Sequence, residues 1–355
     1  MQRSNKLKNS KKILVVRNDK LGDLLVSFST FATLKKNLPD TEIHVLVSKY
    51  TAPMAQMCKY IDRVIVDPTS IEPAGKLASF AQTLTLIKML KQQEYEAVIT
   101  LFSSPHVALA VFLAKIPVRI SPATKIQQFF YNHRLIQRRS RSEKPEHRYN
   151  QELAEYYLSL LHVSPIQTVQ APFLAFDNLL IGKLKQEFMR QHKIPAENLL
   201  VFIHPGSGGS ARNISSEQFA LLANSLQGHS AVTIVVSYGP GEDQVAKDVY
   251  ARVSQAKVLY ESNQGLGKFS QHLQFADCFI SGSTGPLHIA GVLDRPTAAF
   301  YTRRRSATSL RWQTLNSENK RLAFSPVESA DAEDMSSVNI AEAAIAISEK
   351  FLSKS

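Results

Sequence analysis

Short apolar runs, rich in β-branched residues, recur along the chain and alternate with longer stretches whose apolar positions return every three or four residues. In the first half the short runs are Ile13–Arg17, Ile43–Val47, Val64–Val66, Val98–Leu101 and Val118–Ile120. In the second half they are Leu199–His204, Thr233–Ser237, Val258–Tyr260, Cys278–Ser281 and Thr297–Tyr301. Runs of this kind suit strands covered on both faces, and the stretches between them suit helices. The alternation predicts βα units around parallel sheets, an α/β fold with two halves that each carry a sheet. The join is expected between Leu161 and Phe176, where a helical pattern, Gln151–Leu161, gives way to His162-Val163-Ser164-Pro165 and then Ala171-Pro172. A polar stretch, Glu328–Ser337, precedes an alanine-rich amphipathic pattern over Ile340–Leu352, which predicts a last helix.

Length agrees with two domains, because 355 residues exceed one ordinary hydrophobic core. With 44% hydrophobic and 20% charged residues, disorder and low complexity are excluded. The net charge of +12 points either to an anionic partner (nucleic acid, an acidic membrane surface or a phosphorylated substrate) or to solubility alone. No aromatic-studded basic sheet or recognition-helix pattern is present, so nucleic acid is not the expected partner. Cys58 and Cys278 lie far apart and form no pair motif, which argues for a reducing compartment, no disulfide framework and no zinc site. The start, Met1 to Lys12, is basic, but the apolar residues before Arg17 are too few for a leader core. The longest strongly apolar run, Val107–Ala114, is far below a membrane span. A cytoplasmic protein is expected, with a basic surface able to meet a membrane.

Chemistry concentrates where strand patterns end. The run Ile13–Val16 enters Arg17-Asn18-Asp19-Lys20-Leu21-Gly22-Asp23 and then a helical stretch, Leu24–Leu38. A carboxylate at a helix start can cap the helix or, as Asp23 is read here, serve as general base for a hydroxyl. Arg17 and Lys20 flank it and can hold an anionic substrate or act on Asp23 by charge attraction. In the second half, His204-Pro205-Gly206-Ser207-Gly208-Gly209-Ser210-Ala211-Arg212-Asn213 joins a strand to a helix and offers amides, hydroxyls and a guanidinium to phosphate. The loop is neither a P-loop nor a Rossmann fingerprint. Ser281-Gly282-Ser283-Thr284-Gly285-Pro286-Leu287-His288 makes a second strand-to-helix anion site, with proline suited to the first turn. Tyr238-Gly239-Pro240-Gly241-Glu242-Asp243 adds acids at a third strand end, which can bind ribose hydroxyls or merely begin a helix. Eleven of the fourteen glycines lie at or after Gly206, so the second half is the half expected to grip a phosphate-bearing ligand. Basic clusters occur at Arg134–Arg148 and Arg303-Arg304-Arg305.

Taken together, Asp19-Lys20-Leu21-Gly22-Asp23, the loop His204–Asn213 and Ser281–His288 with Ile289-Ala290 resemble glycosyltransferase family 9, the heptosyltransferases of bacterial lipopolysaccharide core assembly. The resemblance implies a GT-B architecture, with two Rossmann-like domains facing a cleft. Residues 1–170 would bind the acceptor and 171–335 the nucleotide sugar, while 336–355 would cross back onto the first domain. It implies inverting transfer of a heptose from ADP-heptose to the inner core (Kdo or heptose), with no metal and no cofactor beyond the substrate. Asp23 matches the family's base. Gly206, Ser207, Arg212, Glu242, Ser283, Thr284, Gly285 and His288 fall in the donor-binding segments. Arg17, Lys20 and Gly22 lie on the acceptor side. The implied partners are the nucleotide sugar, a phosphorylated lipid A–core acceptor and the cytoplasmic face of the inner membrane. Two departures stand out: Ser283 where many members carry Asp, and Thr302 with three arginines where members have a Gly-Pro-type loop. They leave open a family 9-like transferase that uses another nucleotide sugar, such as an N-acetylhexosamine or a hexose.

Overall fold

The computed structural model describes residues 11–71, 76–209 and 211–353. The basic start considered above falls mostly outside them, as does Ser210. Two compact units divide the chain, with boundaries at Arg138/Arg139, Glu146/His147 and Val169/Gln170. The short segment Arg139–Glu146 clusters with the C-terminal unit.

The first unit alternates β1 (Lys12–Val16), α1 (Leu21–Val26), α2 (Phe28–Asn37), β2 (Glu42–Val47), α3 (Ala52–Gln56), β3 (Arg63–Val66), α4 (Lys76–Lys91), β4 (Ala97–Thr100), α5 (Pro105–Leu113), β5 (Val118–Pro122) and β6 (His133–Leu135). A long helix follows, α6 (Glu146–Leu160). Its parallel sheet has the order β3-β2-β1-β4-β5-β6, with Ile13 opposite both Ile43 and Ala97. The central strands β1 and β4 are buried almost throughout, as expected for strands covered on both faces. The helical stretch expected over Leu24–Leu38 is two helices broken at Ser27, whose hydroxyl donates to the Asp23 carbonyl. Asp23 therefore sits inside a first helical turn, and not before it.

The second unit repeats the plan: α7 (Asn178–Gln191), β7 (Leu199–His204), α8 (Ser216–His229), β8 (Val232–Tyr238), α9 (Asp243–Arg252), β9 (Lys257–Glu261), α10 (Gly265–Leu273), β10 (Cys278–Gly282), α11 (Gly285–Val292), β11 (Thr297–Phe300), β12 (Arg321–Phe324) and α12 (Ile340–Ile347). Its sheet order is β12-β11-β10-β7-β8-β9, the same topology as the first. In both sheets the order reverses between the first strand and the fourth, at β1/β4 and at β7/β10. The carboxyl ends of these strands are where ligands bind in open α/β sheets. The last helix covers a face of the second sheet. Its apolar face, Ile340, Ala343, Ala344 and Ile347, packs with Val201, Ile203, Phe219 and Leu222 in the core of the second unit. No helix among the described residues is long and apolar enough to cross a membrane.

Candidate active site

Asp23 is the third residue of α1, and its side chain keeps 16% of its surface exposed. Its Oδ1 is bound by Arg17 Nη2. Among the described residues Oδ2 has no hydrogen-bond donor. Arg17, just past β1, is 2% exposed. Its Nε lies 3.0 Å from Asp19 Oδ1, and its Nη1 reaches the Asn150 side chain at 3.3 Å and the Leu101 carbonyl at 3.4 Å. Asn150 in turn donates to the Ser27 hydroxyl at 3.2 Å. A buried guanidinium is tolerated only when oxygens surround it, and here they do. The expectation that Arg17 touches the acceptor gives way to a different role, because its surface is used up inside the protein. Lys20 caps α1 without a capping bond and is exposed, and Gly22 follows in the first turn.

Three loops of the second unit converge. Glu242, after β8, turns its carboxylate back over the loop after β7. Its Oε2 lies 3.1 Å from His204 Nε2 and accepts the Gly239 amide at 3.0 Å, while Oε1 accepts the Gly208 amide at 3.0 Å. The His204 hydrogen bond, acting against burial, holds the Glu242 carboxyl below its usual range. A Cβ at Gly206 would run into this carboxylate, which is why glycine stands there. The ribose role expected for Glu242 thus falls on a group already bonded to two loops. Asp243, by contrast, is exposed and pairs with Lys247. The loops after β7 and β10 are joined by Asn213, whose side chain donates to the Pro205 carbonyl and fills the space a Cβ at Gly282 would need.

At β10's end Ser281 is buried, Ser283 is half-buried and Thr284 is 3% exposed as the cap residue of α11. Thr284 makes no capping hydrogen bond, so the amides around Gly285 begin the helix uncapped. His288 is 3% exposed and packs edge-on to Trp312. Its Nδ1 has no hydrogen-bond partner among the described residues, and burial pushes the ring's pKa down to about 4. Ser207 lies half-buried in the loop after β7. Arg212, 66% exposed, lies 3.6 Å from Glu333, which also meets Arg304 at 3.5 Å. Arg303 instead ties down the neighbouring chain through the carbonyls of Val327, Glu328 and Ala330.

The basic run Arg134–Arg148 separates by partner. Arg139 and Arg311 both bind the buried carboxylate of Glu146, and Arg148 pairs with Glu155. Arg134 and Arg138 stay exposed. One polar group escaped the sequence reading. Asp67, Thr69 and His106, with Asn18, form a bonded cluster at the first sheet's carboxyl edge. Its signal is faint: a lone Asp-Pro-Thr after one strand and Ser-Pro-His after another.

Two units of Rossmann strand order, each with polar loops at its switch point, define a GT-B type of fold. The profile for "Glycosyltransferase family 9 (heptosyltransferase)" matches residues 83–333. A Haemophilus influenzae protein provisionally named a glycosyltransferase is 38% identical over 316 residues, covering 89% of each chain. Lipopolysaccharide heptosyltransferase 3 of Escherichia coli K12 is 26% identical over 288 residues, covering 79% of each. The solved structure of E. coli ADP-heptose LPS heptosyltransferase II superimposes with a TM-score of 0.75 at 16% identity, over 96% of this chain and 98% of that one. The chain belongs to glycosyltransferase family 9 and is a glycosyltransferase related to the lipopolysaccharide heptosyltransferases.

Proposed function

We propose that the protein transfers a heptose from ADP-heptose to the inner core of lipopolysaccharide, with inversion and without a metal or further cofactor. The observation that carries this reading is the state of Asp23: one carboxylate oxygen fixed by a buried arginine, the other without a donor among the described residues. A base held in this way can take the proton from an acceptor hydroxyl while the sugar's bond to the diphosphate breaks. The departing diphosphate gathers negative charge. Loop amides at Gly206 and Ser207, the uncapped start of α11 at Thr284 and Gly285, and Arg212 can stabilise it. Ser283 and the buried Nδ1 of His288, unpartnered among the described residues, would meet the donor's sugar hydroxyls. Glu242 would meet the ribose after exchanging one loop amide for it.

The choice of ADP-heptose rests on the E. coli relatives, and thermal shifts with ADP-, UDP- and GDP-sugars test it. Stabilisation by ADP-heptose and ADP above the other nucleotides is expected; stabilisation by UDP or GDP compounds alone would overturn it. A second reading, transfer of an N-acetylhexosamine or hexose, is favoured by Ser283 and by the Thr302–Arg305 segment after β11. The acceptor would be a phosphorylated lipid A–core. We also propose peripheral contact with the cytoplasmic face of the inner membrane through the first unit's edge. There Ile126, Phe129 and Ile136 are 82%, 73% and 83% exposed beside Arg134, whose guanidinium lies over the Phe129 ring.

A further inference from the structure

In the first unit, three loops meet on one buried carboxylate. Asp67 follows β3 and is 1% exposed. Its Oδ1 accepts the Thr69 amide at 2.9 Å and the Thr69 hydroxyl at 2.8 Å. Its Oδ2 accepts Asn18 Nδ2 at 2.6 Å and lies 3.2 Å from His106 Nε2. Asn18 follows β1, and His106 is the second residue of α5, after β4. Chain from three strand ends therefore shares one group, at the edge that also carries Asp23. Burial would raise the Asp67 carboxyl, but hydrogen bonds from His106, Thr69 and Asn18 hold it below the usual range.

The hydrogen bonds also fix the ring. The Thr69 hydroxyl has its hydrogen on Asp67, so a lone pair is what it offers to His106 Nε2 at 2.8 Å. Ser104 Oγ stands 3.4 Å from the same nitrogen. Nε2 therefore carries the hydrogen, and Nδ1 is left without a partner among the described residues, on a side chain 32% exposed. An imidazole anchored from behind by a carboxylate and open in front is a preoriented contact for a ligand. A carboxylate behind the ring and an anion before it would bracket an imidazolium. Lys20, exposed on the same edge, and the uncapped start of α5 draw an anion but oppose a charge on the ring, so the second proton comes to Nδ1 only with the anion in place, between it and the Asp67 carboxylate.

We propose that the Asp67–His106 pair is an anion-binding station for the sugar acceptor, with His106 Nδ1–H donating to a phosphate or carboxylate oxygen while Asp67 and Thr69 hold the ring. It deepens the functional reading above and rests on it for the identity of the acceptor. A first test uses the full-length protein alone. The His106 ring nitrogens are followed by long-range 15N NMR while inorganic phosphate, and separately acetate, is added. Nδ1 should shift to the protonated, hydrogen-bonded position with phosphate or acetate, and the shift should be missing in His106→Gln. An unmoved Nδ1 with both anions overturns the proposal.

The second test is kinetic, with lipopolysaccharide core from a strain lacking this gene, native or phosphatase-treated. His106→Gln should raise the acceptor KM about tenfold, the loss of one charge-assisted hydrogen bond, with kcat and ADP-heptose affinity close to wild type. Asp67→Asn should move the same parameter in the same direction. If phosphatase treatment raises the wild-type KM but not that of His106→Gln, the anion is a phosphate; if it changes neither, the anion is a carboxylate. An unchanged acceptor KM in His106→Gln, or a fall in kcat alone, overturns the proposal. Wild-type protein that transfers nothing to the core would sink the functional reading instead, and the NMR titration then decides this one.

Discussion

Arg17 has its guanidinium among Asp19, Asp23, Asn150 and the Leu101 carbonyl, so its removal would leave partly buried acids facing one another. Arg17→Met should cost about 3 kcal/mol of stability by urea unfolding and lower transfer, since Asp23 loses its anchor. His288 gives a prediction about pH. Its folded pKa of about 4 lies below the 6.5 of an exposed ring, so the unfolded chain binds the extra proton between those values. Stability should therefore rise with pH across that window. Thermal melts of wild type and His288→Gln should diverge there, by at most about 3 kcal/mol. At this scale the sequence was legible in part. Asp23 stands next to its strand and helix, so adjacency exposed it. Asp67 and His106 meet across 39 positions, and nothing in a linear reading pairs them.

Elements were most legible where burial is two-sided. The runs at β1, β4, β7 and β10 are apolar because helices cover both faces, and the strands observed there fall within a residue or so of those expected. Two edge strands went unseen: β6, His133–Leu135, and β12, Arg321–Phe324, each short and carrying an arginine, because an edge needs little apolar pattern. For the last helix the amphipathic stripe says that it packs and not against what. Its place in the second core predicts that Ile347→Ala costs about 2–5 kcal/mol, read as a lower urea midpoint. The loop after β7 gives a sharper test. Gly206→Ala should dislodge Glu242 from His204 and the loop amides. Nucleotide affinity should then fall about tenfold by calorimetry, the equivalent of one charged hydrogen bond.

Across the whole molecule, the net charge of +12 is not spread evenly in its effect. Arg139, Arg148 and Arg311 are consumed by carboxylates, whereas Arg134 lies over the ring of exposed Phe129, on the segment that also exposes Ile126 and Ile136. Vesicles of anionic phospholipid should retain the protein at low salt and release it as salt rises, and Ile126→Asp with Phe129→Asp should abolish retention without changing the melting temperature. The doubled Rossmann plan could be seen in the sequence as a doubled alternation, yet the topology that makes β1/β4 and β7/β10 the working edges came only from strand order. The central claim concerns the first of those edges: Asp23, anchored by Arg17, takes the proton of the acceptor hydroxyl. The direct measurement is the single-turnover transfer rate of Asp23→Asn, with ADP-heptose binding measured by calorimetry on the same protein. The account predicts a rate lowered by about 10²–10⁴ with donor affinity intact; a rate within a few-fold of wild type would contradict it.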